Sequence, residues 1–190
     1  MNSSYSAIFS RKYTSKFHLE ILPSLLIMDE NLQFLSDLYF VNNGEIDLLT
    51  GAMAPERFNQ ILARDLQLAD RNLTQLSIIY AKLNIGMLLN SKFSNNQFQL
   101  DPNKMISDLE VELVRVAFLL KNVFRQSDCI CRVHQIGFWI FLVGSGEFQL
   151  NKLILRAKQA LPPYLDLDIS YREKNENQID WYTRVDELHS

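Results

Sequence analysis

The sequence predicts an α+β domain in which helices alternate with strands. Three observations lead there. Apolar residues recur with helical period over 56–71 and again over 106–124. Short apolar runs over 74–83, 129–143 and 165–171 read as strands. Breakers such as Asn42-Asn43-Gly44 and Pro162-Pro163 separate these pieces.

Taken in order, residues 1–16 are rich in Ser, Tyr and basic residues and read as a loose arm. Asp29 is placed to cap a helix carrying Leu32, Leu35, Leu38 and Tyr39 on one side, stopped by Asn42-Asn43-Gly44. Pro55 suits the first turn of a helix. That helix runs to Arg71 with Phe58, Ile61, Leu62, Leu66 and Ala69 at helical spacing. Leu76, Ile78, Ile79 and Tyr80 make 74–83 a buried strand, and a short helix begins at 84–90. Residues 92–103, with Asn95-Asn96-Gln97 and Asp101-Pro102, read as a long polar loop. Leu109, Leu113, Val116, Ala117 and Leu120 share one face of the helix at 106–124. A hairpin follows, with strands at 129–133 and 138–143 and a turn at 134–137. Trp139 and Phe141 alternate with Ile140 and Leu142, so its second strand is buried on both faces. A helix at 150–161 is stopped by Pro162-Pro163. An alternating strand at 165–171 and a helical segment at 179–188 close the chain.

The 190 residues fit an N-terminal arm and helical extension at 1–46 and one domain at 47–190. Hydrophobic residues at 47% and charged residues at 22% suit a soluble protein with one core. A net charge of -3 argues against a nucleic-acid surface. Cys129 and Cys131 point the same way on a strand, where a disulfide would be strained, and two free thiols suit a reducing cytoplasm. No second Cys pair follows to complete a metal site. The longest apolar run, 21–28, is too short for a bilayer and contains Pro23, and the polar start is unlike a secretory signal. The expectation is a cytoplasmic protein without membrane contact or cofactor.

A longer pattern carries more. Arg125-x-x-Asp128 is followed after three residues by Arg132, and after one more by His134-Gln135-Ile136-Gly137-Phe138. This spacing resembles the central hairpin of GGDEF domains, the family of diguanylate cyclases, where the last five residues read G-G-D-E-F. Asp47-Leu-Leu-Thr50-Gly51 resembles the family's opening D-x-L-T-G, although Ala54 and Pro55 stand where Asn and Arg are expected. Val185-Asp186-Glu187-Leu188 resembles its A-D-x-A-L segment. The resemblance covers about residues 47–188. It implies a nucleotidyl cyclase-like fold, a central mainly antiparallel sheet flanked by helices. The family's final strand, with its lysine-bearing element, is expected to be missing.

The resemblance also implies a site, residue by residue. Aligned on Leu76-Ser77, the family's D-x-D metal carboxylates fall on Lys82 and Asn84, and the signature D and E fall on Ile136 and Gly137. His134 and Gln135 replace the two glycines that admit a triphosphate. These replacements predict a catalytically inactive domain, not an enzyme, with no bound metal. Asn90 and Glu110 match the family's guanine-reading residues, or else are plain surface residues of a loop and a helix.

Arg125 and Asp128 match the family's inhibitory site. There the arginine binds phosphate and guanine of cyclic di-GMP, and the aspartate accepts from the base. Arg156 and Lys158 on the following helix are candidates for a second basic partner. The alternative is a surface salt bridge at a helix end. Arg132 reads as structural and His134 as an exposed turn residue.

Two functions stay open. One is a cyclic di-GMP receptor in bacterial signalling, working through Arg125 and Asp128. The other is a nucleotide-independent scaffold, binding a protein partner or a second copy through 17–43 or 92–103. The extension itself either docks a partner or merely packs on the core.

Overall fold

Four strands form one sheet: Leu76–Leu83 (β1), Cys129–His134 (β2), Gly137–Val143 (β3) and Leu165–Tyr171 (β4), in the order β2-β3-β1-β4 and antiparallel throughout. The structure, a computed structural model, describes residues 32–93 and 102–188. The expected arm and the Asp29 cap lie outside the described residues, as do 94–101 of the expected loop. The helices are Pro55–Asn72 (α1), Ile85–Phe93 (α2), Pro102–Val123 (α3), Glu147–Ala160 (α4) and Gln178–Glu187 (α5).

Side chains alternate across each strand. On β1, Leu76, Ile78, Tyr80 and Lys82 face one way and Ser77, Ile79, Ala81 and Leu83 the other. The first face meets α1 and α5 through aromatic rings. Phe58 lies 6.2 Å from Trp139 and 6.1 Å from Phe141, and Tyr182 lies 4.8 Å from Trp139. The second face packs Ile79, Ala81, Phe138 and Ile140 with Leu109, Leu113, Val116 and Leu120 of α3 and Leu150 and Ala157 of α4. β3 is buried on both faces as its sequence requires, with Trp139, Ile140, Phe141 and Leu142 all inside.

Three boundaries differ from the sequence reading. Leu32–Asp37 is a short 3-10 helix rather than the end of an α-helix. The backbone of Tyr39 is claimed by tertiary partners, Glu110 Oε1 accepting from its N–H at 3.0 Å and its carbonyl accepting from Arg132 at 2.8 Å, so no helical ladder continues there. Lys92 and Phe93 still belong to α2, and α3 already starts at Pro102, whose missing N–H suits a first turn. In the hairpin, only Gln135 and Ile136 separate the strands.

Arg132 is fully buried, and Asp47 nearly so, at 0% and 1% side-chain exposure. Arg132 Nη1 lies 3.2 Å from both Asp47 carboxylate oxygens. Nη1 also donates to the Tyr39 carbonyl, Nη2 donates to the Gln135 carbonyl at 2.7 Å, and the guanidinium lies over the Phe40 ring. Asp47 Oδ1 in turn accepts from Thr50 N–H at 2.8 Å and Thr50 Oγ1 at 2.6 Å. Gly51 closes that turn at φ +63, where other residues are strained. Burial pushes the Arg132 pKa down and the Asp47 charge opposes the shift. The structural reading of Arg132 agrees with this geometry. Removing one partner of such a pair strands a buried charge. Asp47→Ala is therefore expected to cost about 3–5 kcal/mol, read as a lower urea midpoint at unchanged m-value.

Candidate functional site

Beyond the end of α3, residues 125–128 form a turn that is closed from both sides. Asp128 Oδ2 accepts the Arg125 N–H at 2.8 Å, and the Asp128 N–H donates to the Arg125 carbonyl at 2.9 Å. The Arg125 side chain is exposed and Asp128 is half-buried. Burial lifts the Asp128 pKa above the usual aspartate range, while its bond from the Arg125 N–H and the Arg125 charge pull the other way.

Arg125 and Asp128 line a 290 Å³ cavity together with Leu142, Lys152, Leu153 and Arg156. Arg156 Nη2 donates to the Val123 carbonyl at 2.9 Å, which ties its guanidinium to the last residue of α3. Lys152 lies one helical turn earlier, with its ammonium 4.3 Å from the Phe148 ring centroid. The sequence reading missed Lys152, although its i,i+4 spacing to Arg156 was the signal. It also named Lys158, which the structure places elsewhere. Two residues along a helix turn the side chain by about 200°. Lys158 instead lines a separate groove with Leu161, Pro162 and Asp166. A larger concavity of 640 Å³ shares Arg125 and Asp128 and extends to Arg57, Lys121 and Met53. Lys121 is anchored there by donating to the Gly51 carbonyl at 2.8 Å.

The positions aligned with the family's metal and phosphate residues lie at the other end of β1. Lys82 is half-buried and directly opposite Asp166 of β4. Burial pushes its pKa down, opposed by the Asp166 charge. Asn84 caps α2, its Oδ1 accepting from Met87 N–H at 3.0 Å and its Nδ2 donating to Asp166 Oδ2 at 3.1 Å. Asp168 lies opposite Tyr80 on the same sheet face. Both acids come from β4, so a reading confined to the motifs did not find them. Among the described residues, no group of three or more His, Cys, Asp or Glu is placed to hold a metal ion. Cys129 and Cys131 are free thiols whose pKa values burial pushes up.

The signature residues also depart from expectation. His134 is half-buried rather than an exposed turn residue, and its Nε2 bonds the Tyr80 hydroxyl. Gly137 makes room for that contact. A Cβ there would run into the His134 ring and come within 2.9 Å of Tyr80 Cε2. Ile136 turns into the core, and the Gln135 carbonyl is taken by Arg132. Phe138 is fully buried. Asn90 is exposed. Glu110 is half-buried, and its Oε1 accepts the Tyr39 N–H at 3.0 Å.

No family model matches the chain, and no curated protein matches it. Solved structures do, and the fold they share with it is that of GGDEF domains. The GGDEF domain of FimX from Pseudomonas aeruginosa aligns with 75% of this chain and 90% of its own, at 15% identity and a TM-score of 0.60. The GGDEF domain of DgcB from Caulobacter crescentus, in complex with c-di-GMP, aligns over 77% and 88%, at 11% and 0.59. The diguanylate cyclase SiaD from P. aeruginosa, in complex with its activator SiaC, aligns over 86% and 62%, at 12% and 0.59. These neighbours correct one expectation. The replaced metal and phosphate residues pointed to a chain that is not an enzyme, yet the scaffold is one that diguanylate cyclases use.

The Gly137 geometry is testable. Gly137→Ala is expected to cost about 1–3 kcal/mol, the scale of overpacking in a filled site. His134→Ala removes the ring that the new methyl meets. The double variant should therefore be more stable than the sum of the single effects predicts, as a double-mutant cycle in urea would measure.

Proposed function

We propose that this domain serves bacterial cyclic di-GMP signalling as a receptor, holding the dinucleotide at the cavity formed by Arg125, Asp128, Lys152 and Arg156. The observation that carries the reading is their convergence on one concave surface. Three cations and one carboxylate match the chemistry of a guanine-bearing diester. The Arg125 fork suits phosphate oxygens and stacks on a purine plane. Arg156 and Lys152 add positive charge for the second phosphate. The Asp128 carboxylate keeps lone pairs beyond its bond to the Arg125 N–H, and these suit the N–H edge of guanine. The DgcB structure, of the same fold and holding c-di-GMP, supports the ligand class. The free thiols fit work in a reducing cytoplasm.

Calorimetric titration with cyclic di-GMP tests this. Arg125→Ala should weaken binding by about 1.5–3 kcal/mol, the value of a charge-assisted hydrogen bond. Arg125→Lys should recover little, because an ammonium lacks the planar fork. Arg156→Ala should weaken binding, whereas Lys158→Ala, in the other groove, should leave it unchanged. No heat from wild type at high micromolar ligand would favour the nucleotide-independent scaffold instead.

The same titration has a pH signature. Ionised Asp128 is the form that accepts from a base, and its pKa is raised. Binding should be at full strength above that raised pKa and fall as pH drops through it. The fall should begin at a higher pH than the usual aspartate value of about 3.9 would give. Asp128→Asn should bind more weakly and lose this acid limb. Binding by that variant with the wild-type pH profile would exclude Asp128 as the titrating acceptor.

A further inference from the structure

Gln149 adds no charge to the cavity, yet it lines the same 290 Å³ space as Arg125, Asp128 and Arg156. It stands in the first turn of α4, three residues after Gly146. Its Oε1 accepts the Gly146 N–H at 2.8 Å. That bond settles which way the amide is turned. The Gly146 N–H can only donate, so the oxygen faces it and the NH2 group lies on the other side of the planar amide. Nε2 makes no hydrogen bond to a described residue, and the side chain is exposed. Its two N–H donors are open to a ligand.

The donors of this cavity fall into two kinds. Arg125, Lys152 and Arg156 are cations and suit phosphate oxygens, whose charge they balance. Gln149 Nε2 is a neutral donor and suits a neutral carbonyl. It shares one small space with the Asp128 carboxylate, which only accepts when ionised. A donor and an acceptor so placed can read two neighbouring atoms of one base. Guanine carries the O6 acceptor beside its N1–H and N2 amine donors, whereas adenine carries an N6 amine donor beside the N1 acceptor. Leu142 and Leu153 line the same cavity and offer apolar contact to a flat ring.

We infer, resting on the receptor reading above, that Gln149 and Asp128 act as a base-reading pair that selects guanine over adenine. Asp128 accepts from N1–H and the N2 amine, and Gln149 Nε2 donates to O6. Adenine in the same position sets its N6 amine against the Gln149 amide, donor against donor. It also sets its N1 lone pair against the Asp128 carboxylate, acceptor against acceptor. A site that hydrogen-bonds its ligand rejects an analogue that leaves those polar groups unpaired. Gln149 is therefore a specificity-determining residue, while the cations supply affinity to any cyclic dinucleotide.

The test titrates the full chain with cyclic di-GMP and with cyclic di-AMP, which share their phosphates and sugars and differ in the base. Wild type should bind the first at least about tenfold more tightly. Gln149→Glu keeps an oxygen for the Gly146 N–H, so the start of α4 is preserved, and it turns the free donor into an acceptor. The ratio of the two affinities should fall by about tenfold or more. The added charge repels the phosphates of both ligands alike, so the ratio isolates the base. Gln149→Met removes the donor without adding charge and should lower the ratio too; it decides the matter if the glutamate variant does not fold. Arg125→Ala should weaken both ligands and leave the ratio unchanged. Three results would overturn the base-reading pair while leaving the receptor standing: equal affinity of wild type for the two ligands; an unchanged ratio in either folded Gln149 variant; or a ratio that falls as steeply with Arg125→Ala as with Gln149→Glu. Binding of neither ligand by wild type would overturn both.

Discussion

The arrangement depends on one buried ion pair. Arg132 reaches from β2 to Asp47 of the opening turn, to the carbonyl of Tyr39 ahead of it, and to the carbonyl of Gln135 in the hairpin turn. Desolvating a guanidinium is expensive, and the Asp47 charge with the bonds from Nη1 and Nη2 offsets that cost, although the buried Nε makes no hydrogen bond to a described residue. Every segment that Arg132 touches is therefore held in one position. The segment that enters the domain, the opening turn and the tip of the hairpin form one unit because they share one cation. Glu110 reinforces this by holding the N–H of the same Tyr39.

Much of the fold was legible because its signals are local. The period of Phe58, Leu62 and Leu66 announced α1, and the bounds of β4 agree with the alternation over 165–171. The buried faces of α3 and β3 follow from patterns within single elements. The site was legible only where a motif spans a few residues. Arg125 and Asp128 are three apart, and their mutual bonds close a turn the spacing already implied. His134 meets a partner 54 residues away, Asn84 one 82 away and Glu110 one 71 away. Those pairings depend on strand order and register, which no local pattern records. Lys152 and Lys158 illustrate the same divide within one helix. Composition offers both, and only the helix phase decides which one faces Arg125.

The two ends of the sheet carry different chemistry. Near the start of β2, Arg125, Arg156 and Lys152 gather three cations around the Asp128 carboxylate. At the far end, Lys82 and Asn84 sit against Asp166 beside the Tyr80–His134 pair. The first is an excess of charge displayed on a concave surface, suited to an anion. The second is a nearly balanced polar layer built into the sheet, where opposite charges answer one another.

His134 and Gly137 amount to a single choice rather than two. The imidazole reaches Tyr80 only across a residue with no side chain, and the bare backbone is filled only because a ring lies over it. Seen one position at a time, each is a separate departure from the GGDEF signature. Seen together, they are one solution to filling the same volume. Changing either position alone spoils a fit that belongs to the pair.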